Sequence, residues 1–236
     1  MIILAIDSTA VVASCAICQN EKLLSLFTVN NGNTHSETLL PMIEESLKRL
    51  SLTVDNIDLF ALSEGPGSFT GVRIGTATIK GLAFGKDKPC VGVSTLEALA
   101  YNLSMSDGII CPCMNARRNQ VYNAVFKNEA GKITRLTEDR AISVTQLEDE
   151  LCGYDLPIYL CGDGDFLLYE SDSRKKDYAY VNELLRHQNG YSVARTALAK
   201  YSLGKSTTDL AIAPTYLRPS QAERTRNEQI KGDFTK

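Results

Sequence analysis

The chain has 236 residues, 44% hydrophobic and 22% charged, which is ordinary for a globular protein and long enough for one large domain or two lobes. A net charge of -3 and a pI near 5.5 speak against a protein that grips nucleic acid through its own phosphate contacts, because such contacts need clustered Lys and Arg. No run of about 18 apolar residues is present, so no membrane span is expected. The opening residues 1–7 lack a basic leader and a cleavage site, so they do not read as a signal peptide, and a cytoplasmic location is expected.

The seven cysteines are an odd number, mostly in apolar, strand-like runs, which fits reduced core thiols. Cys15 and Cys18 would point to opposite faces of an alternating strand, and no third ligand sits nearby. No metal and no cofactor are therefore expected.

In chain order, residues 2–6, 13–17 and 22–29 read as three strands joined by tight turns, an antiparallel meander. A helix follows over 36–50, with Leu40, Ile43, Leu47 and Leu50 on one face; Leu39 and Met42 widen that face beyond what one core contact needs. Residues 59–62 read as a buried strand. A glycine-rich turn at 65–68 then leads into a second helix ending near Phe84. Residues 90–93 read as a strand, and Ser94 to Glu97 opens a third helix with a capping-box pattern. This order describes one lobe ending near residue 103. In a second lobe, 104–218, strands are expected at 109–114, 120–127 and 158–161 and helices at 144–151 and 192–203. The segment 219–236 is polar and reads as a loose tail.

Two places could carry chemistry. Asp7, followed by Ser8 and Thr9 at a strand end, could meet a phosphate or its magnesium ion, or could form a plain Asx turn. In the run from Gly65 to Gly75, Gly67 permits unusual backbone angles and Ser68 can cap a helix whose free N–H groups attract an anion. Gly71, Gly75 and Gly81 lie inside that helix, where each costs roughly 1 kcal/mol relative to alanine. Such glycines admit the close approach of another element, either the lobe's own sheet or a partner. Only His35 and His187 are present, without a His-x-x-x-His pair, an HExxH or a nucleophile elbow. His35 reads as a capping or surface residue and His187 as solvent-exposed. The histidine count contradicts a metalloprotease.

Residues 3–9, His35-Ser36-Glu37, the Gly-Pro-Gly-Ser-Phe-Thr-Gly-Val-Arg-Ile-Gly run of 65–75 and the Gly-Val-Ser-Thr-Leu-Glu run of 92–97 together resemble the TsaB (YeaZ) family. The likeness covers residues 1 to about 100, and 115–122 and 214–218 extend it weakly. The resemblance implies an α/β, actin/Hsp70-like (ASKHA) fold of two lobes, each a five-stranded sheet with helices. It implies an accessory role beside the catalytic relative TsaD, which transfers a threonylcarbamoyl group to a tRNA adenosine, with a small ATPase, TsaE, joining the complex. In TsaD a His-x-x-x-His pair binds the metal; here the matching positions hold Thr95 and Leu99, and leucine cannot ligate.

The expected docking surface is the helix pair 36–50 and 68–84, through Leu39, Met42, Ile43, Gly71, Val72, Gly75, Ile79 and Leu82, as half of a four-helix bundle. The same patch can pair with itself as a homodimer when TsaD is absent, and contact with tRNA is expected to be indirect or weak. The competing reading is an independent actin-fold small-molecule kinase or ATPase using Asp7.

Overall fold

The computed structural model describes residues 1–32, 34–172 and 174–218; the polar tail expected at 219–236 lies outside them. The first sheet is built from β1 (Ile2–Asp7), β2 (Ala13–Gln19), β3 (Lys22–Val29), β4 (Leu59–Gly65) and β5 (Cys90–Ser94), in the order β3-β2-β1-β4-β5. The meander β1-β2-β3 is antiparallel, as the short turns require, and β4 and β5 join in parallel through helical crossovers.

Alternation along the strands feeds two cores. Leu4 and Ile6 of β1 pack on one side with Cys15, Ile17 and Phe60. That side is covered by α1 (His35–Arg49) and α2 (Phe69–Ala83), which bring Leu39, Ile43 and Ile79. Ile3 and Ala5 pack on the other side with Ala16 and Cys18. That side is covered by α7 (Gly190–Ser202), whose Val193, Ala194 and Ala197 lie against the sheet although the helix follows the second sheet in the chain. Cys15 and Cys18 thus face opposite cores, and every cysteine among the described residues is free.

The second sheet contains β6 (Gly108–Asn115), β7 (Gln120–Asn123), β8 (Phe126–Glu129), β9 (Lys132–Arg135), β10 (Arg140–Ser143) and β11 (Ile158–Cys161). Its path is β10-β7-β6-β8-β9, with β11 parallel to β6. It has six strands, not the five expected. The single strand expected over 120–127 breaks at Ala124 and Val125, so β7 pairs with the C-terminal part of β6 and β8 with its N-terminal part. The short strands β9 and β10 carry too few apolar residues to show alternation. Ile109, Cys111 and Cys113 of β6 pack under α4 (Val144–Leu151). Ile110 and Met114 face α3 (Thr95–Tyr101), whose Leu96 and Leu99 fill the space between the sheets. Ser94 caps α3, accepting from the Glu97 N–H. The reciprocal half of the capping box is not the observed partner of Glu97, which faces Arg135 at 3.7 Å. The short helices α5 (Phe166–Tyr169) and α6 (Glu183–Arg186) complete the second lobe. Both lobes are mixed sheets flanked by helices, the α/β architecture expected of an actin/Hsp70-like fold.

Candidate functional site

The end of β1 and the glycine-rich turn before α2 meet at the mouth of a cleft between the lobes. Asp7 is 1% exposed, and both of its oxygens are committed. Oδ1 accepts the Thr9 N–H at 2.9 Å and the Thr9 hydroxyl at 2.7 Å; Oδ2 accepts the Ser63 hydroxyl at 2.5 Å. Burial pushes the Asp7 carboxyl above its ordinary range, opposed by the Ser63 and Thr9 hydrogen bonds. This is the Asx-turn reading of Asp7, with its oxygens facing inward.

Ser8 donates to the Gly71 carbonyl at 2.9 Å, and the Ser68 N–H donates to the Thr9 carbonyl at 2.6 Å. The glycines exist for this closure. A Cβ at Gly67 would stand 2.4 Å from the Thr9 carbonyl oxygen, and one at Gly71 2.0 Å from that of Ser8. The five phosphate candidates Asp7, Ser8, Thr9, Gly67 and Ser68 are thus gathered in one place. Asp7, Ser8 and Thr9 spend their side chains on each other, on Ser63 of β4 and on α2; Thr9, Gly67 and Ser68 line the cleft.

The docking residues expected on α1 and α2 need correction. Leu39, Met42, Ile43, Val72 and Ile79 are 6% exposed or less and are held inside the lobe; Leu82 is half-buried against the same core. Gly71 and Gly75 face Ser8, with a Gly75 Cβ only 2.6 Å from its hydroxyl oxygen. The apolar excess on α1 reflects two neighbours, the sheet and α2, so a wide face is spent within the lobe. The outward side carries Leu40, 50% exposed, with Pro41, Ala77 and Gly81, all exposed. At Gly81 an added Cβ would meet nothing within 4 Å.

The histidines are structural. His35 bonds the Ala10 carbonyl at 2.6 Å through Nε2. His187 is half-buried, not solvent-exposed as expected, because its carbonyl accepts from Asn102 and its ring faces Glu183 at 3.0 Å. Among the described residues no cluster of three or more His, Cys, Asp or Glu could hold a metal, and no helix is long and apolar enough to cross a membrane.

The cleft has a volume of about 450 Å³, within the range of small-molecule sites. Its far wall is the β6–β7 turn with Tyr122 and Asp163, and the segment 214–218 straps its base. The strap is pinned from both lobes. The Thr215 N–H donates to the Glu64 carbonyl at 2.7 Å, Tyr216 stacks on Phe69 with centroids 4.2 Å apart, and Arg218 donates to the Ala116 carbonyl at 3.1 Å. Burial pushes the Asp163 carboxyl up to about 6. In the β6–β7 turn Arg117, Arg118 and Asn119 have φ of 61°, 55° and 54°. The two arginines in this left-handed stretch each cost on the order of 1 kcal/mol or more, whereas Asn119 tolerates that region. Sequence reasoning singled out neither Arg117, Asp163 nor Arg218 as site residues; the available signal was the arginine pair in a turn between two apolar strands.

A family model described as "TsaD: tRNA N6-adenosine threonylcarbamoyltransferase" matches residues 30–159. The chain is similar to the "tRNA threonylcarbamoyladenosine biosynthesis protein TsaB" of Bacillus subtilis, 28% identical over 227 residues, spanning 94% of this chain and 96% of that protein. It is 31% identical over 166 residues to the protein of the same name from Buchnera aphidicola subsp. Schizaphis graminum, covering 69% and 79% of the two chains. The solved structure "YeaZ from Pseudomonas aeruginosa" matches with a TM-score of 0.79 at 23% identity, over 92% of this chain and 99% of that one, and so shares its fold. With the TsaD family model matching more than half of its residues and with matches to TsaB proteins over most of its length, the chain belongs to the TsaB (YeaZ) family.

Proposed function

We propose that the chain is a non-catalytic scaffold and activator in tRNA threonylcarbamoyladenosine biosynthesis, binding a TsaD-type transferase that performs the threonylcarbamoyl transfer to the tRNA adenosine. The observation that carries this reading is Leu99. The positions that match the metal-binding histidines of the catalytic relative are Thr95 and Leu99, 0% and 1% exposed, and Leu99 is packed between the sheets with Leu96, Ile110 and Cys161. A buried leucine at that place serves packing and offers no ligand atom. The commitment of both Asp7 oxygens to Thr9 and Ser63 weighs against the kinase reading, which needs that carboxylate free for a metal or phosphate.

Docking is assigned to the outward side of α1 and α2, through Leu40, Pro41, Ala77 and Gly81, in place of the buried residues. Small residues on α2 let a partner helix approach closely, and the same side serves self-association when TsaD is absent. TsaE joins the larger assembly in the cytoplasm; residues 1–103 act as the first lobe together with α7, which packs on its sheet, and β6 to β11 with their helices act as the second.

The test combines binding and turnover. Leu40→Glu and Ala77→Arg leave the core intact, so both variants fold, and calorimetric titration with TsaD reads affinity losses of roughly tenfold or more, since each places an unpaired charge in the seam. Threonylcarbamoyl transfer requires TsaD. Transfer by the chain alone, or wild-type affinity in both variants, refutes the proposal.

A further inference from the structure

The chain crosses from the first lobe to the second at 102–107, after α3, and returns at 187–189, before α7. The two crossings converge on Asn102. Its side-chain amide donates to the Leu185 carbonyl at 3.1 Å and to the His187 carbonyl at 2.7 Å, and its oxygen accepts the Ser192 hydroxyl at 2.5 Å. Beside them α3 is buried between the sheets, where Leu96 and Leu99 pack with Ile110 and Met114. This junction is covalent, apolar and hydrogen-bonded, and the residues of both crossings lie outside the lining of the cleft.

The strap across the cleft is of another kind. The chain leaves the first-lobe core at Ile212, 2% exposed, and none of residues 213–218 is buried. Directed contacts hold it instead. To the first lobe these are several: the Thr215 N–H on the Glu64 carbonyl, the Tyr216 ring on Phe69, and Arg73, which lies 4.1 Å over Phe69 and donates to the Tyr216 hydroxyl at 2.9 Å. To the second lobe, the polar and ring contacts among the described residues are both made by Arg218: its hydrogen bond to Ala116 and a looser approach to Tyr122, 5.9 Å from the ring centroid. Contacts of a partly exposed guanidinium are individually weak, because water offers the same groups alternative partners. The lobes are thus joined firmly at one side and tied at the other by a strap whose second-lobe end is its weaker one.

We propose that the strap is a releasable latch: the lobes turn as two bodies about the α3–Asn102 junction, and Arg218 is the catch whose loss from Ala116 lets the cleft widen. Phe69 and Arg73 stand in the first two turns of α2, so the latch also ties that helix to the second lobe. It works without a ligand in the cleft and without a docked partner.

The distance between the lobes is measured in the full chain by electron–electron double resonance, with labelled protein diluted in unlabelled protein so that only distances within one chain are read. One spin label takes Cys152, the exposed cysteine of the seven; the other takes Lys48→Cys, exposed near the end of α1. Arg218→Ala removes the catch and Tyr216→Ala the first-lobe anchor. Wild type gives one narrow distance distribution. Each variant gives a distribution roughly twice as broad or more, as expected of a hinge set free. Hydrogen-exchange protection of the β1 and β6 amides stays within about threefold of wild type, because both lobes remain folded. Distributions in both variants that match the wild type overturn the latch. So does a collapse of protection in β1 or β6, since the strap would then be part of a core and not a tie between two intact bodies.

Discussion

The two walls of the cleft are built on opposite plans. On the first-lobe wall every distinctive group is consumed locally: Asp7 by Thr9 and Ser63, Ser8 by Gly71, and Gly67 and Gly71 by the carbonyls of the 8–9 turn. On the second-lobe wall the Arg117 and Arg118 side chains have no partner among the described residues and stand on a backbone that left-handed φ angles make costly. A motif that is long and specific can thus be an instrument of packing, while a less regular turn keeps its donors free. Internal satisfaction predicts large stability effects on the first wall; unspent donors predict small ones on the second.

The largest effect is expected at Gly71. Gly71→Val drives a side chain into the Ser8 backbone, which cannot yield, and costs more than about 4 kcal/mol by chemical denaturation. Gly81→Ala on the same helix meets open space and gains about 0.5–1 kcal/mol. Equal responses at the two positions would break the contrast between the buried and outward sides of α2.

Asp7→Ala comes next. It strands the Thr9 N–H and the hydroxyls of Thr9 and Ser63 in a buried site, at a cost of about 2–3 kcal/mol. Asp7→Asn retains an acceptor and costs less. If Asp7→Ala melts like the wild type, the inward-turned role of this carboxylate is wrong.

Asp163 belongs to the second wall and titrates. Its folded value near 6 exceeds the unfolded value of about 3.9, so the native state holds the extra proton between about pH 4 and 6. The stability this contributes is full below about pH 4 and is lost as pH rises through 6. Asp163→Asn keeps the acceptor for Asn115 and removes that loss. Above pH 6 it should therefore be more stable than wild type by about 1–2 kcal/mol after solvent screening, with the difference shrinking towards pH 4. A pH-independent difference between the melting curves would refute the assignment.

The smallest effect is at Arg118. Arg118→Gly relieves a left-handed residue and breaks no ion pair, so it should gain about 0.5–1 kcal/mol. A destabilisation above about 1 kcal/mol would mean that the turn depends on this side chain.

The sequence alone was enough for the sheet and the first three helices of the first lobe, though not for α7, which comes from the far end of the chain to cover that sheet. Apolar runs bounded by tight turns locate β1 to β3, and apolar residues spaced by three and four locate α1, because a meander and its covering helix are patterned by neighbours close in the chain; the buried face of α1 nevertheless runs through Leu39, Met42, Ile43 and Leu47, and Leu40, expected on it, points outward. Ser68 and Ser94 mark helix starts for the same local reason. Leu99 departs from the ligand pattern that the family resemblance implies for the catalytic relative, and this is a matter of residue identity alone. Tertiary structure alone decided which face of α2 is spent inside the lobe, since a glycine's use depends on what approaches it: Ser8 at Gly71 and Gly75, and nothing at Gly81. It also decided that the run 120–127 divides between two strand partners, and that Tyr216 and Arg218 join Arg73 and Ala116 across more than a hundred residues. Periodicity records the surface each element buries and is blind to the partner that buries it, so a site assembled from a first-lobe helix, a second-lobe turn and a distant strap becomes visible only when the chain is folded.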